Sequence, residues 1–196
     1  MEDMTITAAA DGSALGNPGP AGWAWYIDDS SWAAGGWAHG TNNMGELMAV
    51  LDLFRATAHI PQEPLHILCD SQYAINCISK WMPGWKRKGW RKADGKPVMN
   101  VDILKQIDEA IQGRTYRFEW VKGHAGHELN EAADDRARAV ALAYQGGLAI
   151  PCGPGFAGRG QVDRADETPA ASDPSTPPAP AEPDLFSGLE GFELGR

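Results

Sequence analysis

The chain has 196 residues, with 17 Lys and Arg against 26 Asp and Glu and a net charge of −9, a size that suits one globular domain with an appendage. No apolar run approaches the roughly 18 residues that span a bilayer, and the opening MEDMTITAAAD shows neither a basic nor an apolar leader, so a membrane or secreted protein is not expected and the cytoplasm is the expected location. Three cysteines, Cys69, Cys77 and Cys152, are an odd number without C-x-x-C spacing, which argues against a disulfide framework and a zinc site and gives Cys69 and Cys77 a core role.

Thr5–Ala10 reads as a first strand that stops at Asp11, followed by a turn-rich connection over 12–22, where Gly and Pro punctuate the chain. WAWYID and SWAAGGWAHG then read as two strands joined near Asp28–Ser30. From Met44 to Ala58, the residues Leu47, Val50, Leu51, Phe54 and Ala58 fall on one helical face. LHILC, at 65–69, is a short apolar strand, and Ser71–Trp81 reads as a helix with Ala74, Ile78 and Trp81 in register. A helix over Val101–Gln112 follows Asn100 as its N-cap and buries Leu104, Ile107 and Ile111. TYRFEWV, at 115–121, alternates as a strand, and Asn130 caps a last helix running to about Gln145 with Ala133, Ala137, Val140 and Tyr144 inward.

The order β-β-β-α-β-α-α-β-α predicts an α/β fold. Three early strands on short turns pair antiparallel, and strand–helix–strand crossovers add two parallel strands, giving a mixed five-stranded sheet flanked by helices. Periodic structure ends near residue 150, so the domain is placed at 1–150. The stretch 151–196, rich in Pro, Ala and acid with eight carboxylates against three arginines, reads as a disordered tail. Charge is uneven elsewhere too. Lys80–Lys96 holds seven Lys or Arg against the single acid Asp94, the footprint of a surface that meets a phosphate backbone.

Four carboxylates occupy suggestive places. Asp11 and Asp70 each follow an apolar strand, where ligands bind in open α/β sheets. Glu46 sits in the first turn of its helix beside the inward stripe, and Asp134 stands next to Ala133 and Ala137 in the last helix. Taken singly, each has an ordinary reading as a turn residue or a helix-start acid. Were the two strands neighbours, the four would converge. Two carboxylates about 4 Å apart repel by roughly 4 kcal/mol at an effective dielectric near 20, so convergence calls for divalent cations, and oxygen-only donors favour Mg²⁺ or Mn²⁺.

DGSALGNPGP, TNNMGELMAV, CDSQY, GWKRKGWRKADGKPVMNVDIL and VKGHAGHELNEAADDRA, in that order, resemble the successive motifs of type 1 ribonuclease H over about residues 5–145. The resemblance implies a Mg²⁺-dependent endoribonuclease that cleaves the RNA strand of RNA/DNA hybrids, leaving 3′-hydroxyl and 5′-phosphate ends. It implies Asp11, Glu46, Asp70 and Asp134 as ligands of two ions: Asp11 bridges them, Asp134 holds the nucleophile-side ion, and Glu46 and Asp70 the other. His124, in a Gly-flanked loop, matches the histidine that relays a proton or helps product leave. His127 reads as a solvated loop residue, and His124 with His127 as a zinc pair lacks further N or S donors nearby.

The resemblance also implies a hybrid-binding surface. Asn17, Asn43 and Gln72 face the minor groove with Asn42 nearby, where the 2′-hydroxyl distinguishes RNA. Thr41 holds a DNA-strand phosphate, and Thr41 or Asn42 also suits a helix cap. Trp85, Lys86, Arg87, Lys88 and Trp90 belong to a basic protrusion gripping the DNA strand, with Trp81 expected partly in the core and Trp85 and Trp90 at the surface. Gly45, ahead of Glu46, is expected to weaken its helix by about 1 kcal/mol relative to Ala. A monomer is expected. In the tail, EPDLF reads either as a docking segment for a protein partner or as part of an unbound solubilising stretch.

Overall fold

The computed structural model describes residues 4–158. Residues 159–196, which make up most of the segment read as a tail and include EPDLF, lie outside the described residues.

Five strands form one sheet in the order β3-β2-β1-β4-β5. They are β1 (Ile6–Ala14), β2 (Gly19–Asp28), β3 (Ser31–Gly40), β4 (Leu65–Cys69) and β5 (Tyr116–Trp120). The first three pair antiparallel, and β1 with β4 and β4 with β5 are parallel, as the connection lengths predict. Alternation along β1 serves two layers. Ala8 and Ala10 join a large core with α1 (Asn42–Ala56) and α4 (Val101–Ala110), whereas Ala9 packs with Leu68, Val121 and Ala133 of α5 (Glu128–Gly146) on the other face.

Close approach explains the small residues. A Cβ on Gly22 would lie 2.0 Å from the Ala137 carbonyl oxygen, and one on Gly45 2.6 Å from that of Gly22. The helices therefore rest directly on sheet backbone, and Gly45 is a contact requirement rather than a weak helix start.

The first strand differs from expectation. It continues through Ala14, because Gly12, Ser13 and Ala14 pair with Trp23, Gly22 and Ala21, so only 15–18 form the turn. The parallel ladder to β4 nevertheless ends at Ala9–Leu68, and Asp11 lies beyond it. Asp11 is thus at the end of the ladder without being at the end of its strand.

Helix boundaries shift for local reasons. Thr41 Oγ1 accepts from the Met44 N–H at 3.2 Å, so α1 starts at Asn42, and Glu46 is its fifth residue rather than part of its first turn. The helix ends at Ala56, where Arg114 donates to the Phe54 carbonyl and to Thr57 Oγ1. Asn100 does precede α4, but in a left-handed conformation with no side-chain cap bond; its Nδ2 donates instead to the Tyr73 hydroxyl at 3.0 Å. Ile111 is only partly buried.

After α2 (Gln72–Asn76), a π-helical turn (Cys77–Trp81) leads directly into α3 (Met82–Arg87). The wider turn shifts the register, so Ile78 and Met82 face inward and Trp81 is 43% exposed. Trp85 and Trp90 pack against the core, which reverses the expected roles of the three tryptophans.

The last helix begins at Glu128 with His127 as its N-cap, so Asn130 lies inside it and does not cap it. Nor does the packed body end at Pro151. The Ala34 N–H donates to the Cys152 carbonyl, the Gly155 N–H to that of Trp32, and Phe156 is buried beside His59. Residues 152–157 thereby cover the free edge of β3. Among the described residues, no helix is long and apolar enough to cross a membrane.

Candidate active site

Three of the four expected carboxylates meet. Asp11, Glu46 and Asp70 each offer an oxygen, and these lie within 4.8 Å of one another. Asp11 comes from β1 beyond its ladder with β4, and Asp70 follows the last residue of β4. Glu46 is delivered by α1, whose backbone crosses β1 so closely that a Cβ on Gly12 would meet the Glu46 nitrogen at 2.4 Å. Asp134, on α5, stands outside this group, with Oδ2 3.7 Å from His124 Nδ1.

Electrostatically the site is uncompensated. Asp11 and Glu46 are 3% and 2% exposed, and among the described residues no Lys or Arg pairs with Asp11, Glu46 or Asp70. Burial first, then the charges of Asp70 and Asp134, raises the Asp11 pKa to about 8. Burial and then the Asp11 and Asp70 charges hold the Glu46 carboxyl well above its usual range. Asp134 is raised chiefly by burial, against the pull of His124. Buried oxygen donors with excess negative charge and no nitrogen ligand are the donor set of a hard divalent cation, and the residues present fit one. Among the described residues, no histidine or cysteine joins a group of three or more possible ligands, so the arrangement is unlike a zinc centre.

The other expected residues fall in two regions. Near the carboxylates, the Asn42 N–H donates to Asn17 Oδ1 at 3.2 Å and Asn42 Nδ2 to Glu46 Oε1 at 3.3 Å, which ties the polar rim to a carboxylate. Asn43 is half-buried in the first turn of α1, and Gln72 is exposed at the start of α2. His124 has a left-handed backbone, φ 54°, and a side chain 82% exposed. Farther along, a groove is lined by Lys80, Trp81, Trp85, Lys88, Arg91 and Lys92. Arg87 and Lys88 are exposed, whereas Lys86 Nζ is paired with Asp108 of α4 at 2.9 Å.

Several residues were not anticipated as part of the site. Cys69, expected only in the core, is buried and directs its thiol at Glu46 Oε2 over 4.0 Å. Trp120 Nε1 donates to the Asp70 carbonyl at 3.1 Å. Asn130 Nδ2 donates to Asp70 Oδ2 at 3.4 Å. Only the last left a trace in the sequence, since Asn130 precedes Asp134 by one helical turn.

The RNase H family profile matches residues 3–142. Ribonuclease H of Tropheryma whipplei (strain Twist) is 50% identical over 159 residues, covering 81% of this chain and 98% of that protein. Ribonuclease HI of Streptomyces coelicolor is 44% identical over 145 residues, 70% of this chain and 62% of that one. Among solved structures, LC9-RNase H1, a type 1 RNase H with the type 2 active-site motif, superposes with a TM-score of 0.62 at 26% identity, over 78% of this chain and 76% of that chain. A foamy viral protease-reverse transcriptase in complex with RNA/DNA hybrid matches with a TM-score of 0.56 at 18% identity, over 69% of this chain and 20% of that one, a likeness of fold alone. With the sheet order, the carboxylate group and these relatives in agreement, the chain belongs to the type 1 ribonuclease H family.

Proposed function

We propose that the protein is a monomeric endoribonuclease that hydrolyses the RNA strand of RNA/DNA hybrids, using two Mg²⁺ ions, with Mn²⁺ as a substitute, and leaving 3′-hydroxyl and 5′-phosphate ends. The observation that carries this reading is the meeting of Asp11, Glu46 and Asp70, the first two buried, with no Lys or Arg paired to them among the described residues, in a chain of this family. Divalent ions held by these carboxylates would supply the charge that makes a water nucleophilic at neutral pH and stabilises the departing oxygen.

The chain's own residues do the rest. Burial and the charges of Asp70 and Asp134 favour the protonated Asp11 carboxyl, and a cation held there would favour its ionised form instead. Asp134 adds the fourth carboxylate from α5. His124, exposed on its loop and facing Asp134, relays a proton or helps product leave. Asn17, Asn43 and Gln72 read the 2′-hydroxyl, with Asn42 joining Asn17 to Glu46. Thr41 serves both as the cap of α1 and as a phosphate contact. Trp85, Lys86, Arg87, Lys88 and Trp90 grip the DNA strand.

The test is incubation with labelled RNA/DNA, double-stranded RNA and double-stranded DNA, with and without EDTA. Cleavage confined to the RNA of the hybrid, and abolished by EDTA, is expected. Metal-independent cleavage, or equal cleavage of double-stranded DNA, sinks the reading. Asp70→Asn is expected to reduce cleavage in Mg²⁺ to background while leaving the circular dichroism spectrum unchanged; near-normal turnover would remove Asp70 from the ligand set.

A further inference from the structure

Asn130 is a buried polar side chain beside the site that the proposed chemistry does not use. It is 2% exposed, one turn before Asp134 on α5. Its Nδ2 donates to Asp70 Oδ2 at 3.4 Å, and its Oδ1 is buried with no partner. Leaving half an amide unsatisfied in the interior costs stability, and Ala133 and Ala137 on the same helix show that alanine suffices for packing against the sheet. The amide is therefore not explained by packing.

Asp70 is constrained from other directions as well. The Trp120 indole holds its carbonyl. A Cβ on Gly123 would lie 2.6 Å from Asp70 Oδ2 and 3.4 Å from its Cγ. Gly123 is outside the left-handed region, so the carboxylate, and not the backbone angle, is what demands glycine there.

We propose that Asn130 is a positioning residue that, with the bare backbone of Gly123, brackets Asp70 Oδ2 and aims this carboxylate at Asp11 and Glu46. The inference rests on the reading of these carboxylates as a cation site. A neutral amide orients an ionised Asp70 without cancelling its charge, whereas Lys or Arg would compete with the incoming cation. Because Asn130 is on α5 and Gly123 precedes His124, the bracket also sets Asp70 relative to Asp134 and the histidine loop. Partners of this kind hold ligand geometry before a cation arrives.

The experiment uses the full chain as wild type, Asn130→Ala, Asn130→Leu and Gly123→Ala. Asn130→Leu keeps the branched shape and leaves no polar atom to satisfy. Gly123→Ala keeps the amide and crowds Asp70 Oδ2 with a methyl group. Mg²⁺ is titrated calorimetrically, kcat and KM for a hybrid are measured separately, and melts in EDTA establish which variants are folded. Mg²⁺ affinity and kcat are each expected to fall about 10–100-fold, with KM within about twofold of wild type, since Asn130 is buried and has no surface to offer a duplex. Folded Asn130 variants that bind Mg²⁺ like wild type, or that lose only KM, overturn the proposal and leave Asn130 as packing. Wild type that takes up no Mg²⁺ overturns the cation-site reading itself, an outcome distinct from any behaviour of the variants.

Discussion

Asp11 shares a buried corner with Glu46 and Asp70, and burial together with the neighbouring charges lifts its pKa from 3.8 to about 8. In the unfolded chain it ionises near 3.8, so between these two values the folded protein holds the extra proton and loses stability as pH rises. Below that window the carboxyl is neutral in both states and costs little. Asp11→Asn should therefore stabilise the cation-free protein by on the order of 2 kcal/mol at pH 8 and much less near pH 4. Melts in EDTA at the two pH values check this, and equal shifts at both would refute the electrostatic account. The three acids that meet were readable residue by residue because a motif carries each at a characteristic place. Asn130 was not, since an Asn near a helix start reads equally well as a cap, and only its burial against Asp70 tells the two roles apart.

At the level of elements, the site depends on how closely α1 crosses β1 and β2. Gly12 and Gly45 meet with no room for a methyl group, and the nearest atoms are backbone, so they cannot step aside. Gly12→Ala is expected to cost about 1–3 kcal/mol through overpacking and to reduce cleavage by driving Glu46 away from Asp11; urea unfolding with a parallel hybrid assay reads both. The composition suggested only that Gly45 was a poor helix residue, because propensity is local and a helix–sheet crossing is not. The π-helical turn at Cys77–Trp81 makes the same point. A regular 3.6-residue period puts Trp81 inward, and the wider turn hands that place to Met82. Trp85→Ala should accordingly lower stability by roughly 1–3 kcal/mol, as removal of a half-buried aromatic does, and Trp81→Ala by less than about 0.5 kcal/mol, measured by denaturant titration.

Across the whole molecule, an acidic chain carries a concentrated basic surface. Net charge of −9 repels a polyanion at a distance, so binding must draw on Lys80, Lys88, Arg91 and Lys92 around their groove. The logarithm of hybrid affinity should fall linearly with log salt, and replacing Lys88 and Arg91 by Gln should flatten the slope by about 1 for each phosphate no longer neutralised; an unchanged slope would place the duplex elsewhere. The extent of the packed body is also a whole-molecule property. Residues 152–157 lie on β3, and Phe156 is buried. A chain ended at residue 150 is expected to lose about 1.5–3 kcal/mol, the burial of one Phe, relative to a chain ended at 158.

Strand and helix order, the mixed sheet and the three carboxylates that meet followed from periodicity, connection length and motif, all of which are written along the chain. What only the folded chain decided was proximity. Asp11 lies past its ladder within a continuous strand, Asp134 stands apart from the group of three, Lys86 is paired with Asp108, and Cys152–Ala157 return to an edge that composition would leave bare. Each depends on residues distant in sequence meeting in space, set by backbone approach and by which charges share a desolvated space, and neither quantity has a signature in local sequence.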